Sequence, residues 1–225
     1  MSSTETGATR QRRSAGFAEA MTPRELPTTP RGLRTRGRLV EAARTVFERD
    51  GFLDARLVDI TSEAGISAGS FYTYFDSKEE VFLAVLAEVE QEMLHPDVRE
   101  VPDGDDPVAM IRASNRAYLE SYQRFARFMA LLEQVASIDE DFRERRRQRG
   151  QAFIQRNAKS IARLQEQGIA KSKTDPLLAS SFLSGMVARA GYARFVLGED
   201  WSIDEMVDTL TQLWADALRI ESPGR

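Results

Sequence analysis

The sequence predicts an all-α protein, on three observations. Apolar residues recur at three- and four-residue spacing along most of the chain beyond about residue 34. No segment sustains the apolar–polar alternation of a strand. Turn residues punctuate the periodic stretches singly, at Asp50-Gly51, Gly65, Gly168 and Asp175-Pro176.

The elements follow in order. Residues 1–33 mix Ser, Thr, Gly and Pro without an apolar period and read as a flexible basic arm. Thr35 is placed to cap a helix with the stripe Leu39, Ala43, Val46 and Phe47, ending near Asp50-Gly51. A short helix from Leu57 to Ala64 points Ile60 inward and breaks at Gly65; Ser67 then caps a third helix through about Phe75. A longer helix follows Asp76, with Val81, Phe82, Val85 and Leu86 on its apolar side. Asp97 to Pro107 is a linker rich in Pro, Gly and Asp. Beyond it come stripes at Ile111, Asn115, Tyr118 and Tyr122, then at Phe125, Phe128, Met129 and Leu132. A long helix spans about 139–167, another opens at Asp175-Pro176, and a last one runs from about Ser202 to Ile220.

Composition narrows the function. The 225 residues contain no cysteine, which excludes a disulfide framework, a thiolate metal site and a cysteine nucleophile. No apolar run approaches the ~20 residues that span a bilayer, and the arginines near the N-terminus lack the apolar stretch of a secretory signal. A cytoplasmic protein with no membrane partner is expected. The net charge of −4 is uneven: residues 1–40 hold eight arginines against three acids, so the remainder is strongly acidic. A basic end on an acidic body suits contact with a polyanion through one face. Carboxylates are plentiful, but no nucleophile elbow, phosphate-cradling loop or metal-ligand spacing is present, so neither an enzyme nor a cofactor is expected. The lone His95 sits beside Pro96 with no companion ligand. The arginine run 145–147 has acids alongside and reads as a salt-bridged surface.

Two helices joined at Gly65, the second capped by Ser67, make a helix-turn-helix candidate. The helix that enters a major groove must lead with small side chains, and Ala68, Gly69 and Ser70 meet that need. Phe71 and Phe75 can bury together, leaving Ser70, Tyr72, Thr73 and Tyr74 outward.

From about Arg34 to Leu86 the sequence resembles the DNA-binding domain of TetR-family transcriptional regulators. The resemblance rests on Ala42-Ala43, Phe47, Gly51-Phe52, Ile60, Ala64-Gly65-Ile66-Ser67, Gly69, Phe71-Tyr72, Tyr74-Phe75 and Ser77-Lys78-Glu79. It implies a helix-turn-helix domain of three helices at 34–78 and a larger helical ligand-binding and dimerisation domain at 79–225. It also implies a homodimer that binds a palindromic double-stranded DNA operator and is released by a small-molecule inducer. Carried over by position, Tyr72, Tyr74 and Lys78 fall at phosphate contacts, and Ser67, Ala68, Gly69, Ser70 and Thr73 at groove-facing positions. Two departures stand out. Arg56 occupies the capping position of the second helix, where Ser or Thr is usual, and can itself reach a phosphate. The recognition helix has no Arg or Lys from Ile66 to Asp76, so the bidentate guanine contact is missing there. Arg31, Arg34, Arg36 and Arg38 are left to follow the backbone or enter a minor groove.

In the C-terminal half, Tyr118, Tyr122, Phe125, Phe128, Met129, Phe153 and Met186 are candidates for an apolar ligand-cavity wall, with plain core packing as the alternative. Asn115 and Asn157 lie on apolar faces, either satisfied by neighbours or open to a ligand. Arg189 is placed to meet a ligand carboxylate or an ion-pair partner at a dimer seam. The small residues Gly185, Ala188 and Gly191 thin their helix and suit a four-helix dimer interface with the last helix. Gly150 marks a kink or a close approach inside the long helix. The alternatives are a DNA-binding dimer without an inducer, and a small-molecule-binding protein that keeps the helix-turn-helix as scaffold.

Overall fold

The structure, a computed structural model, describes residues 26–94, 106–138 and 140–220. Most of the basic arm, His95 and most of the linker lie outside the described residues. The described residues fold as nine α-helices and one π-helical stretch, without a strand. They are α1 Pro30–Asp54, α2 Leu57–Glu63, α3 Ala68–Phe71, α4 Lys78–Leu94, α5 Pro107–Arg124, α6 Ala126–Ile138, α7 Glu140–Glu166, α8 Pro176–Tyr192 and α9 Ile203–Leu218, with the π segment Ala193–Leu197 after α8. The chain forms two compact units. One holds the residues up to Gln91 together with Arg127–Arg146; the other holds Glu92–Ala126 and Arg147–Arg225.

In the first unit, α1 starts five residues before the expected Thr35. Thr29 is the cap, accepting the Gly32 N–H at 3.1 Å, and Pro30 occupies the first turn, where its missing N–H costs nothing. Thr35 lies inside the helix and its hydroxyl donates to the Arg31 carbonyl. Residues 30–33 of the expected arm are therefore helical. At the other end the helix breaks at Gly51, as expected, because its φ and ψ are not helical. Gly51 kinks the chain at φ 79°, and the turn continues to Asp54. That kink brings Phe52 into the core.

Phe82 of α4 is the centre of this core. Its ring lies 5.1 Å from Phe47, 4.9 Å from Phe52, 5.1 Å from Phe128 and 5.1 Å from Phe142, edge-on to all but Phe128. Each fully buried phenylalanine contributes roughly 1.5–3 kcal/mol by burial, with a smaller gain from edge-to-face geometry. Leu39, Ala43, Val46, Ile60, Phe71, Phe75 and Leu86 complete the core.

In the second unit, Asp106 caps α5 by accepting the N–H groups of Val108 and Ala109. α5 lies along α9, joined by Arg112–Asp208 and Arg116–Asp204 on the surface and by Asn115–Thr211 within. The core is Leu119, Ile161, Val187, Met206, Val207, Leu210, Trp214 and Leu218. Gly168, at φ 71°, ends α7 as expected, and α9 begins with a complete capping box between Ser202 and Glu205.

Two expectations for this region change. Gly150 sits in unbroken helix, with no neighbour within 4 Å of the position its Cβ would take, so it marks neither a kink nor a close approach among the described residues. Leu213 and Ala217 do not share the buried side of α9 with Met206, Leu210 and Trp214; Leu213 is 45% exposed.

Candidate nucleic-acid interface

The geometry of the interface starts at the end of α2. Ala64 closes the helix and Gly65 follows at φ 63°, a left-handed conformation that a side chain would strain. The Gly65 N–H reaches the Ser62 carbonyl and the Ile66 N–H the Thr61 carbonyl, both at 3.0 Å. This is a Schellman closure, and it reverses the chain within two residues. Ser67 then caps α3 as expected, accepting the Ser70 N–H at 3.3 Å, while the two serine hydroxyls share a hydrogen bond of 2.8 Å.

The recognition helix is shorter than the sequence suggested, ending at Phe71 instead of near Phe75. Thr73 N–H bonds to the Ser70 carbonyl and Tyr74 N–H to that of Phe71, so the chain tightens to three-residue spacing. The tightening keeps Phe71 and Phe75 together in the core, each 1% exposed with their rings 5.7 Å apart. Ala68, Gly69, Tyr72 and Thr73 face solvent, Ser70 and Tyr74 partly so. Tyr72 is 55% exposed and packs edge-on against Phe71. The result is an outer edge of small groups and hydroxyls on a rigid aromatic base.

The flanking cations are engaged more closely than the sequence indicated. Lys78 donates to the carbonyls of Phe52, Leu53 and Ala55, at 2.8, 3.2 and 3.0 Å, and its ammonium lies 4.8 Å from the Phe52 ring centre. It therefore terminates α1, where carbonyls lack helical partners and carry partial negative charge. An ammonium has three protons, and these carbonyls match that number. Arg56 leaves α2 without a side-chain cap, as its position implied, and Asp54 does not substitute. Its guanidinium instead grips Asp59 through two bonds of 2.7 and 2.8 Å, which hold the Asp59 carboxyl below its usual range. Arg36 stacks its guanidinium 4.9 Å from the Phe75 ring centre. Arg38 donates to the Ala64 carbonyl, a partner the sequence did not suggest.

The ligand candidates divide between the two units. Phe128 and Met129 belong to the first, where Phe128 is fully buried against Phe82. Both are buried within that unit. In the second unit Tyr118 meets Phe153 at 5.7 Å and Tyr122 at 6.0 Å, and Tyr122 stacks on Phe195 of the π segment. Gly191 makes this possible, since a Cβ there would lie 3.1 Å from the Tyr122 ring. Asn115 donates to the Thr211 hydroxyl at 3.3 Å and Asn157 to the Ser184 hydroxyl at 3.0 Å, so both amides have protein partners. Phe125 is buried, with Arg124 over its ring, and Met186 borders the unit's core. Arg189 is exposed, its guanidinium 5.4 Å from the Tyr192 ring centre. One group went unnoticed in the sequence: the indole N–H of Trp214 is buried with no acceptor among the described residues.

Residues 39–85 match the family model of bacterial regulatory proteins, tetR family. The likeness to TetR-family DNA-binding domains is shown for this segment, which contains α2, the Gly65 turn and α3. The repressor NicS of Pseudomonas putida is 29% identical over 99 residues, which are 44% of this chain and 47% of that protein. The regulator YdgC of Bacillus subtilis is 40% identical over 58 residues, 26% of this chain and 30% of its own length. The alignments thus span less than two thirds of these curated relatives. Among solved structures, Salmonella enterica GusR aligns with 87% of this chain and 100% of its own, with a TM-score of 0.69 at 21% identity, which shows a shared fold. No helix among the described residues is long and apolar enough to cross a membrane.

Proposed function

We propose that the chain is a homodimeric, cytoplasmic transcription regulator that binds a pseudo-palindromic operator and is released from it by a small-molecule inducer. One observation carries the reading: α2, the Gly65 turn and α3 present Ala68, Gly69, Ser70, Tyr72 and Thr73 outward from a buried aromatic core. Small groups admit the helix end to a groove about 12 Å wide. Hydroxyls and backbone N–H groups at a helix start suit phosphate oxygens. Arg36, Arg56 and Lys78 supply positive charge nearby, and phosphate contact by any of them would compete with its present partner.

A second copy is supported by apolar side chains exposed on α8 and α9. Leu178 is 55% exposed, Phe182 74% and Leu213 45%, and a Cβ added at Gly185 of α8 would meet open space. Two copies joined through these helices would form a four-helix contact and present two recognition helices to half-sites about one DNA turn apart. Tyr118, Tyr122, Phe153 and Phe195 are the aromatic surfaces for an inducer, and the open Trp214 donor suits a ligand with an acceptor atom. Repression by steric occupancy is the regulatory sense proposed.

Regulation without an inducer is favoured by the pairing of both buried-face amides, Asn115 and Asn157, which leaves those donors no call for a ligand. Binding-site selection from random duplex DNA, repeated with a panel of aromatic and apolar acids, tests both readings. Selection of a palindrome that one of these compounds weakens supports induction. A palindrome unaffected by every compound that thermally stabilises the protein favours the second reading. Recovery of no preferred sequence counts against both.

A further inference from the structure

The turn between α2 and α3 leaves the Ala64 carbonyl for a side chain to use. Ala64 N–H bonds to Ile60, Gly65 N–H to Ser62 and Ile66 N–H to Thr61. This pattern uses the carbonyls of Ile60, Thr61 and Ser62 and supplies no donor to the Ala64 carbonyl. Arg38, on α1 and 26 positions earlier, donates an Nη2 proton to it. The same nitrogen lies 3.2 Å from where a Cβ at Gly65 would sit, so the guanidinium rests against the turn as well as bonding to it. A cation at this point also faces the negative end of α2.

We infer that Arg38 is a positioning residue, tying α1 to the helix-turn-helix turn and fixing the direction in which α3 is presented, without itself touching DNA. This rests on the DNA-binding reading above. The need for such a tie follows from the length of α3. Four helical residues cannot hold their own direction, because a single turn is not stable alone. Phe71 and Phe75 anchor α3 from its inner side, but they act after the turn. Arg38 holds the turn itself, and the guanidinium adds the strength of a charge-assisted bond.

The test compares the full-length wild type with R38M, which keeps an apolar stem but no donor, and R38K, which keeps the charge on a shorter donor group. Amide exchange at Gly65 and Ile66 is measured without DNA. Affinity is then measured across salt for the duplex selected by the wild type and for a random duplex. In R38M, exchange at both amides should quicken about tenfold, the size of one hydrogen bond to a charged group. Affinity for the selected duplex should fall several-fold more than for the random one, with the salt slope unchanged, and R38K should lie between. Equal loss on both duplexes with a shallower salt slope would make Arg38 a phosphate ligand and overturn the inference. Unchanged exchange and affinity in R38M would overturn it too. If the wild type selects no duplex, the DNA-binding reading fails, while the exchange rates still decide whether Arg38 holds the turn.

Discussion

Tyr72 and Thr73 are neighbours on one exposed edge, yet they should fail differently when altered. The Tyr72 hydroxyl is suited to phosphate, which every duplex offers. Y72F should weaken selected and random DNA alike, whereas T73A should reduce the ratio between them, by roughly 1 kcal/mol or more if Thr73 reads a base edge. Competition binding at fixed salt measures both, and an equal loss in T73A would remove direct readout from that position. Gly65 makes a sharper demand. Its φ of 63° penalises any Cβ, so G65A should cost on the order of 1 kcal/mol in urea unfolding. In the second unit, the buried Trp214 N–H without an acceptor is itself a cost to the fold. W214F should leave stability unchanged or slightly raised while weakening a ligand that accepts from the indole; a clear loss of stability would show that the donor has a partner.

At the scale of elements, helix ends carry the chemistry. Lys78 closes α1 from 23–26 positions away in sequence, through the carbonyls of Phe52, Leu53 and Ala55. K78M should destabilise the protein by about 1–3 kcal/mol, as expected for loss of bonds to a charged donor, read by urea unfolding in the absence of DNA. The start of α9 gives a pH test. Ser202 donates its N–H and hydroxyl to Glu205, holding that carboxyl below its ordinary value near 4.5. The pair therefore favours the fold above pH 4.5 and loses that effect as acid reaches the lowered pKa. E205Q should flatten this part of the acid limb in a stability–pH profile. Helix order was legible because each helix buries a stripe, and the stripe sets the period. The start of α1 was not, because its first turn is held by Thr29 and Pro30 and exposes Leu33 instead of burying a stripe. Phe128 shows another limit: a stripe announces burial but not which core receives it. The small groups of the recognition edge were readable from local spacing. The partners of Lys78 and Arg38 were not, since distant carbonyls leave no pattern in the sequence.

For the whole molecule, the proposed dimer places its affinity for DNA under the control of α8 and α9. F182E should convert a dimer to a monomer by light scattering and lower operator affinity at least tenfold, because half-sites would be bound singly. A dimer that survives the change would locate the second copy elsewhere. The basic N-terminal segment should matter through charge alone: removing residues 1–25, which hold four arginines and three acids, should change the salt slope of binding only slightly, and a large change would give that segment a direct phosphate role. The uncharged edge of α3 has a further consequence for how such a protein diversifies. Attraction to DNA would be supplied by residues outside the edge, so exchanges among small side chains at Ala68, Gly69, Ser70 or Thr73 can redirect sequence preference while general adhesion stays constant. Duplicated copies could then drift to new operators without passing through a form that no longer binds DNA at all.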